Sequence, residues 1–442
     1  MADDGATAGG EAAPPRGVAG APARGEAAPR RAAPRRGAPR RADLAGRARA
    51  TWAAWRPSVV VAAQALLVTR AVVWLCGMGA VHWAGLSSRA SDFDPGGLTH
   101  PYGDFLNLVL APAARWDTTW FLSIAHDGYA GDTSRAAFFP LYPLLAQGIV
   151  GGLVLSLVCA LLGLAALHRL GTIELGDAPA RAAVWLVACF PMAFFLSAVY
   201  SESLFLALSV GAVLAARTDR WAVAALLGAL ASATRSAGVL LLVPLALLWW
   251  THSERRRRDL AWLALVPVGL AAFCAALALD GLDGLAPFHA QDIWFRHFAG
   301  PFVGAWDGAV AAWDGARQLL SGSRDPVYFA VAGGDPYVNA SHNLQLFAAL
   351  IAAIPALIGT LRRLPLAYAA YTVAALALPL SYPVTPQPLM SLPRFELVLF
   401  PLFLWLGWWT TRARRRLPVV AGAFLALQGL AVAEFATWHW VA

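Results

Sequence analysis

Beyond residue 57 the chain alternates long apolar runs with short arginine clusters. Several runs approach or exceed the ~20 apolar residues needed to cross a bilayer core of about 30 Å. One is "FFPLYPLLAQGIVGGLVLSLVCALLGLAALHRL", which closes on His168 and Arg169. The pattern predicts helices throughout. The stretch 1–56 differs: "APRRAAPRRGAPRRA" and its surroundings carry few large apolar side chains. Such a segment cannot bury a core and is expected to be a disordered Arg/Ala/Pro-rich cytoplasmic tail. The membrane domain is expected over 57–442.

Arginine clusters favour the cytoplasmic face, which orients the runs. With the tail inside, the first run, about Ser58 to Gly85, leads outward. Residues 86–137 then form an external loop, and 280–342 form a second. The second contains "DIWFRHF" and "GAWDGAVAAWDGARQLL", the latter with the pattern of an interfacial helix. Arg181 to Arg217 has cytoplasmic charge at both ends. As one helix its roughly 37 residues would reach ~55 Å, so the chain is expected to fold back near "VYSES". Trp221 to Trp250 poses the same problem and is expected to fold back near "ATRSAG". The count is about 11 spans, with the N-terminus inside and the C-terminus outside.

Composition agrees. Of 442 residues, 59% are hydrophobic and 14% charged, where a soluble protein carries about 25% charge. The 19 tryptophans suit interfacial belts. The net charge of +8 reflects arginine in the tail and short loops, so it indicates a membrane face rather than nucleic acid. The 34 basic residues include no lysine, which reads as codon bias in a GC-rich genome. The expectation is an all-α polytopic protein of a bacterial plasma membrane. Cys76, Cys159, Cys189 and Cys274 lie in apolar runs without metal-ligand spacing and read as small buried hydrophobes. No metal site and no cofactor are expected.

Ionisable residues at membrane depth are costly and mark sites or pathways. Asp117, Glu202, Arg235, His289 and Arg394 all fall at the expected external surface. If 112–127 is a helix, Asp117 shares a face with Trp120, Phe121 and Ile124. It is then either functional or an N-cap or partner of Arg115. Arg235 lies at a helix break, and Arg394 follows Pro393 at the mouth of a span. Each alone reads as a snorkelling anchor. Two arginines at an external surface, against the positive-inside trend, point to an anionic partner such as phosphate. Glu202 reads as a helix cap or a partner of these cations, and His289 as a loop residue or a phosphate ligand. Asp127 and Asp132 are expected in loop hydrogen bonds, and Arg70, inside the first span, against a neighbouring helix.

"RWDTTWFLSIAHDGY" followed by "FFPLYPLL" resembles the first external loop of the PIG-V family of mannosyltransferases. "FPMAFFLSAVYSESLFLAL", "ATRSAGVLLL" and "MSLPRFELVLFPLF" are similar to that family in the same order. The spacer between Leu145 and Gly152 is shorter than usual, and the arginine-rich tail lies outside the family pattern. The resemblance implies a GT-C-like helical bundle with two large external loops. It implies transfer of mannose, or a similar hexose, from a polyprenyl-phosphate-linked donor to a glycan or glycolipid acceptor at the outer face. The family's acidic catalytic residue maps onto Asp117. Arg115, Trp116, Glu202, Arg235, His289 and Arg394 are the candidate donor-phosphate and substrate ligands. The competing reading is a transporter or flippase for a lipid-linked anion, which would need a site reachable from both faces.

Overall fold

The computed structural model describes residues 41–254, 256–325 and 334–441. Thr51–Ala442 form one compact unit. The residues up to Ala50 form another, described only over 41–50, where the chain is helical. The expected tail therefore lies outside the described residues as far as residue 40, and from Arg41 the chain is helix.

All regular structure among the described residues is helical, as a polytopic all-α protein requires, since a helix satisfies its own backbone groups in lipid. The main helices are α1 (Arg41–Ala84), α2 (Thr118–Asp127), α3 (Gly148–Leu175), α4 (Asp177–Cys189), α5 (Glu202–Arg217) and α6 (Trp221–Ser232). They continue as α7 (Leu242–Thr251), α8 (Val268–Leu279), α9 (Ala286–Ile293), α10 (Pro301–Ser321) and α11 (Pro336–Arg363). The last four are α12 (Leu366–Leu380), α13 (Leu392–Leu397), α14 (Phe400–Thr410) and α15 (Arg416–Ala436).

Five stretches are long and apolar enough to cross a membrane as they stand: Arg49–Ala84, Gly148–Leu175, Arg257–Leu279, Pro336–Arg363 and Arg416–Ala436. A sixth arises if α4 and the 3-10 turn Pro191–Ser197, bent by 84°, count as one. The other stretches expected to cross carry shorter helices, among them Trp221–Ser232, Ser236–Thr251 and Leu366–Leu380.

Both expected fold-backs coincide with breaks. Between α4 and α5 the chain turns through Pro191–Ser197 and "VYS". Arg70 of α1 holds this turn: its guanidinium donates to the carbonyls of Ala193 at 2.7 Å and Ala188 at 3.3 Å, and to Ser197 Oγ at 2.9 Å. The second break separates α6 from a 3-10 turn, Ser236–Leu241, that leads into α7. Gly238 is required there, because a Cβ would sit 2.3 Å from the Ala231 carbonyl.

The segment 280–342, expected as a loop, contains α9, α10 and the first turns of α11. Asp335 starts α11 by accepting from the Tyr337 N–H at 2.8 Å, with Pro336 at the first helical position. α10 buries Gly304, Gly308, Ala312 and Gly315 and exposes Phe302, Trp306, Trp313 and Leu320. The small face lets its backbone approach α11 and α12, and the large apolar side chains point outward, as in an interfacial helix.

Candidate functional site

The helix expected over 112–127 is interrupted. Ala111–Ala113 form a 3-10 turn, Trp116 takes φ +55°, and α2 starts only at Thr118. Asp117 is thus the residue preceding α2, and its side chain makes no capping bond. The face read from the sequence persists beyond it: Phe121 and Ile124 are buried. Trp120 stacks on Phe138 at 5.7 Å.

The Asp117 carboxylate points at α13. Its Oδ2 accepts from Arg394 Nη1 at 2.5 Å. Arg394 Nε donates to Glu202 Oε1, and the same oxygen accepts from Arg235 Nη2. Arg235 Nε donates to Ser201 Oγ at 3.0 Å. Carboxylates and guanidinia therefore alternate, Asp117–Arg394–Glu202–Arg235, across four separate elements. Glu202 is wholly buried, Arg394 and Arg235 are 11% and 14% exposed, and Asp117 is the most open at 18%. Asp117 Oδ1 makes no hydrogen bond among the described residues. Desolvating four charges is costly, and the mutual pairing offsets it only while every member is present.

Tyr200 fixes this geometry. Its hydroxyl accepts from the Asp117 N–H at 2.9 Å and donates to the Arg115 carbonyl at 3.0 Å. Its ring lies 4.8 Å from the Arg394 guanidinium, and Phe195 lies 5.2 Å away, so aromatic faces support the cation.

The remaining expected ligands lie elsewhere. The Arg115 side chain turns away from Asp117, donating from Nε to the Ala436 carbonyl at 3.0 Å and from Nη1 to Thr99 Oγ1 at 3.2 Å. Trp116 is buried among Phe93, Trp438 and Trp440. The left-handed backbone at Trp116 sends these neighbours in different directions. His289, on α9, is exposed and pairs through Nδ1 with Asp283 Oδ2 at 2.6 Å. The Leu285 N–H, followed by His289, holds the Asp283 carboxyl below its ordinary pKa. Asp127 and Asp132 take the local roles expected of them, with His126 and Ser134 respectively. Among the described residues no three His, Cys, Asp or Glu side chains converge as a metal site.

Arg296, between α9 and α10, was not singled out from the sequence. Burial, with Arg394 adding to it, pushes its pKa down to about 10, and Asp117 opposes the shift. Among the described residues its guanidinium makes two long hydrogen bonds, at 3.5 Å to the Tyr382 carbonyl and 3.5 Å to the Met390 carbonyl. The available signal was an arginine inside the aromatic segment "DIWFRHF", on a face where arginine is disfavoured.

Fold and site together define a polytopic helical membrane protein with a partly accessible carboxylate set in a buried ion network. Residues 148–256 match the family model described as mannosyltransferase (PIG-V). The resemblance read from the motifs is thus borne out over this stretch. The chain is 34% identical over 224 residues to GPI alpha-1,6-mannosyltransferase 2 of Rattus norvegicus, covering 45% of this chain and 44% of the rat protein. The Mus musculus and Cricetulus griseus proteins of the same name are each 34% identical over 151 residues, covering 30% of each chain. The chain thus spans less than half the length of these curated relatives. No solved structure matches it. The family-model match includes Glu202 and Arg235; Asp117 and Arg394 lie outside it.

Proposed function

We propose that this protein transfers mannose from a polyprenyl-phosphate-linked donor to a hydroxyl of a glycan or glycolipid at the outer face of the membrane. The observation that carries this reading is the Asp117–Arg394–Glu202–Arg235 network. It joins one residue from each of the four family-like motifs. Its one open member is a carboxylate. The family match supports the mannosyl part; the donor, the acceptor class and the face rest on the site and on the arginine distribution.

In this mechanism the acceptor hydroxyl attacks the anomeric carbon of the donor sugar. The new C–O bond forms as the bond from that carbon to the phosphate oxygen breaks, and the electron pair leaves with the phosphate. Asp117 Oδ1 takes the hydroxyl proton as attack proceeds. Arg394 holds the other carboxylate oxygen and keeps Asp117 oriented. Glu202, wholly buried and bound to two guanidinia, positions Arg394 and is not itself a second reacting carboxylate. Negative charge developing on the leaving phosphate calls for a cation held in a desolvated setting, which strengthens the attraction.

The test uses purified protein in lipid nanodiscs, with radiolabelled polyprenyl-phosphate-mannose and an acceptor extract. The expected result is label transferred to acceptor by the wild type and almost none by Asp117→Asn, with the variant still folded at the assay temperature. Donor translocated without hexose transfer would replace the enzyme with the flippase reading.

A further inference from the structure

The two arginines that the sequence offers for the donor phosphate are already occupied. Arg394 binds Asp117 and Glu202, and Arg235 binds Glu202. The two carboxylates and two guanidinia cancel, so the network alone presents no net positive charge to a phosphate. Another cation within electrostatic reach of the network is Arg296. Among the described residues it has no carboxylate within salt-bridge distance, and its guanidinium makes the two 3.5 Å hydrogen bonds to backbone carbonyls. One of those carbonyls, Met390, lies on the segment leading into α13, which carries Arg394. Two residues before Arg296, the Trp294 indole N–H is buried and has no acceptor among the described residues. The Trp294 ring packs edge-on against Trp120 at 5.5 Å and Phe138 at 6.0 Å. Trp120 is one helical turn from Asp117. A half-buried guanidinium with no carboxylate in salt-bridge range and, two residues before it, a buried N–H without an acceptor are each costly in the free protein. A bound ligand carrying an anionic group and hydroxyls would satisfy both.

We propose that the segment Trp294–Arg296 is the donor subsite: Arg296 binds the phosphate ester, and the Trp294 N–H binds a hydroxyl of the sugar beside the Trp120–Phe138 wall. This rests on the transferase reading above and deepens it. It assigns phosphate recognition to Arg296 and leaves Arg394 and Arg235 to position Asp117. A guanidinium suits this task because its fork can meet two phosphate oxygens at once.

The test measures binding of polyprenyl monophosphate to full-length protein in nanodiscs by native mass spectrometry, with GDP as a second ligand. Wild type and Asp117→Asn should both bind the lipid phosphate. Arg296→Gln should weaken binding by about 10–100-fold, the worth of a hydrogen bond to a charged group. Its melting temperature without ligand should match the wild type. Arg296→Lys, which keeps the charge and loses the fork, should recover part of the affinity and decides the matter if Arg296→Gln does not fold. Trp294→Phe keeps the ring and removes the N–H. It should raise KM for the sugar-loaded donor while leaving affinity for the bare lipid phosphate unchanged. If the wild type binds lipid phosphate and folded Arg296→Gln binds it equally well, the subsite is overturned and the transferase reading stands. If the wild type binds GDP and not lipid phosphate, the lipid-linked donor is itself wrong.

Discussion

The two ends of the helical bundle handle charge in opposite ways. At the end where α5 begins, Asp117, Arg394, Glu202 and Arg235 come from four elements and are largely withdrawn from solvent. At the end where α5 finishes, Arg217 pairs with the largely buried Glu174 at 2.6 Å, and the other pairs are local or open. Asp177 and Arg181 are i,i+4 neighbours on α4, about half exposed, at 2.6 Å. Arg363 and Arg412 both lie over Trp408, at 4.7 Å and 4.5 Å, and line a surface cavity of about 590 Å³ with Glu174 and Thr411. Ser156, which contacts Tyr200, and Glu174 are 18 positions apart on α3, so the two ends lie ~27 Å apart along that helix. Screened pairs of the second kind contribute little and tolerate change. A buried alternating network tolerates none, because loss of any member strands its neighbour's charge. A fold keeps such a network only where something demands it, and the open carboxylate at its edge supplies the demand.

The comparison breaks most readily at Asp117. Asn is nearly isosteric and still accepts from Arg394, but it takes no proton at neutral pH. Asp117→Asn should lower turnover by roughly 10²–10⁴-fold, the usual worth of a general base. The nanodisc transfer assay, run beside a melting curve, checks both halves. Full turnover in a folded variant would return Asp117 to a purely structural part.

Glu202→Gln comes next, and its effect falls on stability. It leaves Arg394 and Arg235 facing one another without the carboxylate between them. A loss of about 3–5 kcal/mol is expected, the range for breaking a buried pair on one side. The readout is the melting temperature in detergent. A variant as stable as the wild type would mean that water reaches this site freely. Arg235→Gln added to Glu202→Gln should cost less than the sum of the two changes, since the second removes a charge the first has stranded.

At the opposite end, Arg181→Gln should cost about 0.3–0.5 kcal/mol, as for an exposed i,i+4 pair. Moderate salt should erase most of that difference. A cost of several kcal/mol there would remove the contrast between the two ends.

The sequence could be read this far because charge next to apolar runs is conspicuous. Glu202, Arg235 and Arg394 stand at the breaks and mouths of such runs, so the cost of burying them marks them out. The fold-backs near Ser201 and Arg235 were legible for a related reason: arginine at both ends of a run cannot share a face unless the run turns. What stayed hidden depends on tertiary contact. The positive φ at Trp116 carries no local signal, since Trp rarely adopts it, and it parts Arg115 and Trp116 from Asp117. The pairing of Asp117 with Arg394 spans 277 positions and leaves no spacing to read. Arg296 was hidden by its setting, a single cation in an aromatic loop whose importance appears only once its neighbours' charges are seen to cancel.

The smallest effect is expected at His289. In the sequence the residue read as a loop histidine or a phosphate ligand. The structure pairs it instead with Asp283 on the same exposed loop and helix. Asp283 receives the Leu285 N–H at 2.8 Å as well, so its carboxylate is stabilised chiefly by a backbone bond that no change at His289 removes. His289→Gln should leave turnover and KM for the donor unchanged in the transfer assay. The pH dependence follows from the depressed pKa of Asp283. A carboxyl whose folded pKa lies below its unfolded value of about 3.9 contributes stability that is complete above that value. The contribution disappears as pH falls through the folded pKa, so Asp283→Asn should lower melting slightly at neutrality, and the difference from wild type should fade below about pH 4. Both residues are well exposed, which keeps even that change small. A drop in donor affinity for His289→Gln at neutral pH would move the donor site from the α2–α13 corner toward α9, and Arg296 would then have to share the phosphate with it.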